Sequence, residues 1–373
     1  MLINDNNICN VKFRGEDAVA LYFGATLVWQ KDDDGQNTVS YLTVKGNFVK
    51  NTTDADRWLY YNGEKHYIET NEFEIEFDSP ITFRTKLTDS TPFASDKIEN
   101  IIVPYIDNLT DISCMFENCY KLKSLDLSAV DTSNVTDMFG MCNGCEKLET
   151  LNLGDFNMGK VKTTVMMFYN CSSLTSLDLS DGNASNVTDM TSMFQNCSSL
   201  TSLDLSDVNA NNVTDMSYMF SDCTSLTSIN LTNFGTGGAL KLNRMFAGCS
   251  SLSSLDLSTF NTLNVENMQY MFFDCTSLET LNIDGWDFRK VKDLTNIFSL
   301  CSSLTTVIGE FEEISVSIEL NFCPLTRESA LAFINGLKRN IKRIITFKNS
   351  TYSSLSEEDI ALATSKGWTV ASR

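Results

Sequence analysis

The stretch "NVTDMSYMFSDCTSLTSINLTNFGTG", residues 212–237, is one copy of a unit that recurs every 26 residues. Eight cysteines mark the period at one constant interval: Cys119, Cys145, Cys171, Cys197, Cys223, Cys249, Cys275 and Cys301. A fixed period of this size is typical of stacked repeat architectures. Since a single unit cannot bury its apolar side alone, the units are expected to stack as coils.

Apolar residues keep the same period on both sides of each cysteine. The unit carries an L-x-x-L-x-L line after the cysteine, as in Leu200, Leu203 and Leu205. A phenylalanine column precedes the cysteine and is interrupted only by Cys142; its members are Phe116, Phe168, Phe194, Phe220, Phe246, Phe272 and Phe298. Eight coils without an insertion therefore share one predicted core.

The two halves of the unit show different periodicities. In "NVTDMSYMFSDC" the apolar residues are three or four apart, which predicts a short helix with one buried face. In "LTSINL" Leu226, Ile229 and Leu231 end in the alternation of a strand, whose neighbours in stacked coils would lie about 4.8 Å apart. The predicted fold is an α/β leucine-rich-repeat solenoid, with eight coils that contribute a parallel sheet and short helices.

Flanking segments predict further regions at both ends of the repeats. The charged, glycine-containing "KDDDGQN" indicates a linker, and "YNGEKHY" carries the Asn-Gly hairpin signal of an antiparallel β-region. Beyond the last regular coil, "TRESALAFINGL" and "LSEEDIALATSKG" read as helices and "IKRIITFKNS" and "WTVAS" as strands of an α/β cap. The predicted regions are an N-terminal attachment segment, a small β-domain, the solenoid and a C-terminal cap, at residues 1–36, 37–94, 95–310 and 311–373.

Composition excludes several classes of function. The chain has 373 residues with 28 Lys+Arg against 48 Asp+Glu, a formal charge of -20, which would repel a nucleic-acid backbone. The N-terminal "MLINDNNICNVKFRGEDAVA" has no basic segment followed by an apolar core, and no run of eighteen apolar residues occurs. Neither a nucleic-acid partner, nor an export signal, nor membrane insertion is expected.

The repeat "NVTDMSYMFSDCTSLTSINL" resembles those of BspA-like leucine-rich-repeat surface proteins, over roughly residues 108–308. That resemblance implies an extracellular adhesion or recognition module without catalytic activity. "LYFGATLVWQK" is similar to a segment that opens many bacteriophage tail and fibre proteins, and "LSEEDIALATSKGWTV" is similar to the ends of phage-encoded repeat proteins. These similarities imply a head-fibre or tail-fibre component of a virion, because phage proteins leave the host by lysis and need no export signal. The alternative is a bacterial cell-surface adhesin.

The implied partners follow from that location. Other virion proteins would hold the N-terminal region, and a host-surface protein or glycan would contact the repeats. The oligomeric state and copy number stay open.

The cysteines are predicted to be reduced packing residues. Zinc needs clustered ligands such as C-x2-C pairs, whereas a 26-residue interval produces a line, and Cys142 with Cys145 lacks a second pair. Disulfides between neighbouring coils are the alternative; spacing of predicted helices by about 8–10 Å disfavours them. The single histidine, His66, lies in the predicted hairpin and suggests no catalytic pair. No phosphate-binding or dinucleotide-binding glycine motif occurs, so no cofactor is expected.

A column of acidic and amide residues is the candidate binding surface. It occupies the outward position of each strand: Asp126, Asn152, Asp178, Asp204, Asn230, Asp256 and Asn282. Alternating Asn and Asp is expected to relieve repulsion between stacked carboxylates. Calcium binding is the alternative to a solvated hydrogen-bonding ladder. A loop column that includes Phe156, Phe234 and Phe260 is predicted to be a second core spine, with Trp286 and Phe288 as candidate aromatic contacts to a partner.

Overall fold

The computed structural model describes residues 109–179, 182–311 and 313–373 with their side chains, and the backbone of strands between residues 11 and 102. Two compact units divide the chain at residues 1–182 and 183–373. The repeats form a parallel β-solenoid of about nine turns with a repeat of about 26 residues, which confirms the predicted repeat solenoid.

The N-terminal strands pair antiparallel, as predicted. They are β1 (Val11–Phe13), β2 (Glu16–Ala18), β3 (Ala20–Phe23), β4 (Thr26–Trp29), β5 (Ser40–Gly46), β6 (Trp58–Tyr61), β7 (Glu64–Tyr67) and β8 (Glu72–Phe77). Strands β6 and β7 pair with Tyr61 opposite Glu64, so their connection is the predicted Asn-Gly dipeptide. His66 lies in β7, and its side chain is outside the described residues.

A further strand joins this region to the first coil. Strand β9 (Ile98–Ile102) pairs antiparallel with β5 and parallel with β10 (Ser124–Asp126). The resulting five-stranded sheet has the order β11-β10-β9-β5-β8, with β11 at Thr150–Asn152. The segment around "KIENII" is therefore the first, irregular rung of the solenoid, as predicted.

In the second unit the coil strands are three residues long and stack in register. They are β12 (Ser202–Asp204), β13 (Ser228–Asn230), β14 (Ser254–Asp256), β15 (Thr280–Asn282) and β16 (Thr306–Ile308). Leu203 pairs with Ile229, and Leu281 pairs with Val307. Since every register step equals one repeat, each side chain has its own equivalent as its neighbour.

The short helix predicted in each repeat is wrong. In residues 212–223 the amide of Met219 bonds to the carbonyl of Met216, but the amides of Phe220 and Asp222 bond to Met245 and Ala247 of the next coil. Tyr218 and Asp222 have φ of 60° and 62°, which turns the chain instead of continuing a helix. Apolar residues three or four apart face inward in this turn ladder as they would in a helix, so the spacing could not distinguish the two.

The predicted core columns are buried. Every cysteine of the column is at most 1% exposed. In the second unit, the rings of Phe194, Phe220, Phe246, Phe272 and Phe298 stack with centroids 5.3–5.9 Å apart. The second spine is also confirmed, since the loop residues Val130, Phe156, Val208, Phe234, Phe260 and Trp286 are buried.

The C-terminal segment forms the predicted α/β arrangement. It comprises β17 (Ile318–Leu320), α1 (Arg327–Gly336), β18 (Arg343–Phe347), α2 (Asn349–Tyr352), α3 (Glu357–Ser365) and β19 (Trp368–Ser372). The three strands are parallel in the order β17-β18-β19. Ser356 and Asp359 form a capping box at the start of α3. Asp359 also accepts two hydrogen bonds of 2.8 Å from Arg327, which fastens α1 to α3.

Among the described residues, no helix has the length and apolar character to span a membrane.

Candidate functional site

The Asp/Asn ladder lies on the surface, where the strand periodicity predicts it. Six of its members are the last residues of β10 to β15, and Asp178 holds the equivalent position in its coil. Asp126 and Asn282 are half-buried; the others are exposed. Three members belong to the first unit and four to the second. The residue just before a ladder residue points into the core, as Leu203 does before Asp204.

Each described ladder turn is closed by its own Asp or Asn. The Oδ1 atoms of Asp126, Asp204 and Asp256 each accept a 2.9 Å hydrogen bond from the amide two residues on. Asn230 accepts an equivalent bond of 3.2 Å from Thr232. This is the local pairing that favours Asp and Asn in turns. The recurrence of these residues thus has a structural cause that strand periodicity did not reveal.

Neighbouring ladder residues also bond to each other. The Nδ2 atom of Asn230 donates to Oδ2 of Asp204 over 3.1 Å, so the predicted relief of repulsion by an amide is observed at this step. The backbone amide of Ser206 lowers the pKa of the Asp204 carboxyl below its usual value, and the Ser206 hydroxyl and the Asn230 amide lower it further. The Asp204 carboxylate is therefore ionised at neutral pH. Its Oδ1 atom accepts from Ser206 and its Oδ2 atom accepts from Asn230.

A shallow depression brings two ladder residues together in the first unit. Residues 151–156, Asp178 and Leu179 line a space of about 300 Å³. Asn152 and Asp178 border it with polar atoms, and Gly154 adopts φ of 57° where an added Cβ would meet the Ser128 backbone at 2.7 Å. The depression is a polar recess on the sheet face.

The calcium alternative gains no support from side-chain clustering. Across the described residues, no three or more His, Cys, Asp or Glu side chains are grouped so that they could hold a metal ion. In the second unit the ladder places its carboxylates two coils apart with an Asn between them, rather than around a common centre. Calcium binding stays an untested alternative to the solvated ladder.

The prediction that Trp286 and Phe288 contact a partner is wrong. Trp286 is fully buried and Phe288 is 2% exposed. The indole Nε1 of Trp286 donates to the carbonyl of Leu257 over 3.0 Å, and Phe288 packs edge-on against Phe311. The position of Phe288 is buried in other coils as well, where Ala210 and Thr262 occupy it. The repeat position that Phe288 shares with these buried residues was the sequence signal for its burial.

The cysteine column has a polar function inside the core. The thiols of Cys223, Cys249 and Cys275 donate to phenylalanine carbonyls of the preceding coil over 3.1–3.2 Å. Burial raises the pKa of the Cys223 thiol well above its usual value, so it stays protonated at neutral pH. A buried, protonated thiol is a packing group and not a nucleophile. The predicted packing role is confirmed, although no helices separate the columns.

A surface cluster that the sequence reasoning missed lies on the turn side of the second unit. The Arg244 guanidinium carbon lies 4.2 Å from the Tyr270 ring centroid and 5.7 Å from that of Tyr218. We call Tyr218, Arg244 and Tyr270 the tyrosine–arginine stack. All three are half-buried with φ of 57–60°, at a position that other coils fill with residues such as Gly140, Ser192 and Asn296. Large planar groups where other coils hold small ones were the available signal.

Comparison with known proteins identifies one family. The family model described as "Mycoplasma protein of unknown function, DUF285" matches residues 87–208 and 192–311. No curated protein matches the chain. The two matches together extend over the coils that carry the cysteine, phenylalanine and ladder columns, and this family is related to the BspA-like repeats. The chain therefore belongs to the family described as Mycoplasma protein of unknown function, DUF285.

Proposed function

We propose that this protein is a non-catalytic recognition scaffold: a phage appendage of head-fibre or tail-fibre type that displays its coils to a host-surface protein or glycan. The observation that carries the proposal is the Asp/Asn ladder, in which outward carboxylates and amides are held in one geometry by bonds such as Asn230 to Asp204. Identical weak sites repeated along a rigid surface, and multiplied by copies of the appendage, produce avidity without any strong single contact.

Two features of the described residues support a role without catalysis. The thiols of Cys223, Cys249 and Cys275 are buried and protonated, so they supply no nucleophile. The ladder carboxylates form a row with matching environments, whereas glycoside hydrolysis uses two carboxylates in different environments on opposite sides of a bond. The row favours contact with an extended ligand over chemistry at one bond.

The virion location rests on the similarity of "LYFGATLVWQK" to phage tail and fibre proteins. Strands β3 and β4 form an antiparallel pair within this stretch. The second candidate is a bacterial cell-surface adhesin, which the family description favours because it names proteins of Mycoplasma, a bacterium. Both candidates use the same ladder surface and differ in where the chain is attached.

Locating the full-length chain separates these candidates. An epitope tag after Arg373 allows gradient-purified particles and washed cell envelopes from the producing culture to be probed side by side. We expect the tag in the particle fraction. Its presence only in envelopes would refute the virion assignment in favour of the adhesin, and its presence only in the soluble cell fraction would refute both.

The ladder itself is tested by charge removal that preserves shape. A double variant, Asp204→Asn with Asp256→Asn, retains the Oδ1 acceptors of the turns but removes two carboxylates. The matched control, Asp207→Asn with Asp284→Asn, removes two exposed carboxylates of the same unit outside the ladder. Binding of labelled protein to host cells should fall for the ladder variant and not for the control. Equal binding by all three proteins would show that the ladder is not the contact surface.

A further inference from the structure

Arg244 differs from the other basic residues of residues 183–311, a range in which the structure describes every side chain. Lys241 pairs with Asp215 at 2.7 Å and Lys292 with Glu266 at 2.6 Å. The remaining two are also bonded: Arg289 to Asp287, and Lys290 to the Oδ1 atom of Asn264. Within the described residues, the Arg244 guanidinium has neither an ion-pair partner nor a hydrogen-bond acceptor.

The tyrosine–arginine stack fixes this unpaired guanidinium in place. The two rings engage the π face of the group, and Tyr270 is supported by an edge contact with Phe273 at 5.4 Å. The N–H groups lie in the guanidinium plane along its rim, so stacking leaves them available to an acceptor. A half-buried cation held in one orientation loses little side-chain freedom when it binds a carboxylate through two parallel bonds.

The surroundings of the stack limit the kind of anion that fits. The Asp222 carboxylate lies close to Gly248, which belongs to the coil of Arg244. A Cβ added at Gly248 would stand 2.5 Å from the Oδ1 atom of Asp222. Asp274, in the coil of Tyr270, occupies the same position of the repeat as Asp222 and Gly248. The charge of Lys241 is matched by Asp215. A group that concentrates several negative charges, such as a phosphate, would be disfavoured by these carboxylates, whereas a single carboxylate on an otherwise neutral body, such as one ring of a polysaccharide, brings only one charge to Arg244.

The rings supply the contacts that such a neutral body needs. The phenolic oxygens of Tyr218 and Tyr270 have no hydrogen-bond partner among the described residues, so they can pair with ligand hydroxyls. Half-buried aromatic rings also offer apolar surface to the C–H faces of a pyranose. A sugar acid combines one carboxylate with hydroxyls and apolar ring faces.

We propose that Tyr218, Arg244 and Tyr270 form a binding site for a uronic-acid residue of an acidic polysaccharide, with its carboxylate on the Arg244 guanidinium. The site lies on the turn side of the coils, and it rests on the proposed function only for the origin of the polysaccharide at a host surface.

Calorimetric titration of the full-length chain tests this site. The probes are a galacturonic-acid hexamer, its methyl ester and a glutamate hexapeptide. The variants are Arg244→Gln, which removes the charge, and Arg244→Lys, which keeps the charge but loses the planar fork. Lys290→Gln is the matched control, because it removes one exposed charge of the same unit outside the stack. Melting temperatures of all variants establish that they fold.

The unesterified hexamer should bind the unchanged protein and the Lys290→Gln variant within about twofold of each other, and Arg244→Gln should bind it at least about tenfold more weakly. Arg244→Lys should fall between them. Equal binding of the methyl ester would overturn the carboxylate assignment, and this comparison needs no variant. Equal or tighter binding of the glutamate peptide would overturn the sugar assignment. No binding of the acidic hexamer at millimolar concentration would overturn the site.

The particle and envelope fractionation described above is independent of this titration. A chain located on virions that binds no acidic hexamer would overturn the stack proposal alone. A chain absent from particles and envelopes that binds the hexamer through Arg244 would overturn the proposed function alone.

Discussion

Replacing Phe246 by leucine tests whether the stacked rings stabilise the solenoid beyond their burial. Phe246 is fully buried, with ring centroids 5.3 Å from Phe220 and 5.9 Å from Phe272. Each aromatic pair contributes about 0.5–1.5 kcal/mol beyond area burial, so losing two pairs should cost about 1–3 kcal/mol in addition to the smaller volume of leucine. Phe234→Leu is the matched control, because Phe234 is also fully buried but, among the residues that the structure describes, stacks only on Phe260, at 6.5 Å.

The control should therefore lose about half as much ring-contact energy, about 0.5–1.5 kcal/mol. Repeat proteins can lose coils separately, so a single global free energy of unfolding is not assumed. Native-state hydrogen exchange of peptides covering each coil measures the local opening free energy, and denaturant titration monitored by tryptophan fluorescence gives the overall midpoint. Equal destabilisation by the two substitutions would refute the reasoning, since it would show that stacking adds nothing to burial.

Three further predictions concern the ladder and the core. Asn230→Asp should destabilise the fold at neutral pH by placing a second carboxylate beside Asp204, whose own pKa is held below its usual value; the penalty should shrink as acid protonates the introduced carboxyl, and a pH-independent change in melting temperature would contradict this. Trp286→Phe should cost about 0.5–1.5 kcal/mol in denaturant titration because the carbonyl of Leu257 loses the indole donor at 3.0 Å and keeps the Phe260 amide, and a smaller loss would mean that the indole bond contributes little. Thiols of the buried column, such as Cys223, should resist alkylation in native protein at pH 8 and react fully in denaturant; mass-spectrometric labelling of native protein would disprove their burial, and protection in denaturant without reductant would reveal disulfides.

Sequence periodicity predicted the candidate surface in part. It located the ladder on the outside of the strands, because strand alternation at Leu203 and Leu205 leaves Asp204 facing outward. It could not reveal that the Asp204 carboxylate closes a turn with Ser206, since that bond depends on the bend after the strand. It also assigned Trp286 an exposed position because of its size and basic neighbours, although its column is buried.

The sequence by itself determined the period, the solenoid and the buried columns of this protein. Burial recurs at one phase in every unit, so each inference about a column such as the cysteines rests on eight positions at once. Only the tertiary structure decided that residues 212–223 form turns, because their amides bond to carbonyls of the next coil, such as that from Phe220 to Met245. The contact between Arg244 and the two tyrosines was decided in the same way: residues 26 apart become neighbours only when coils stack in register.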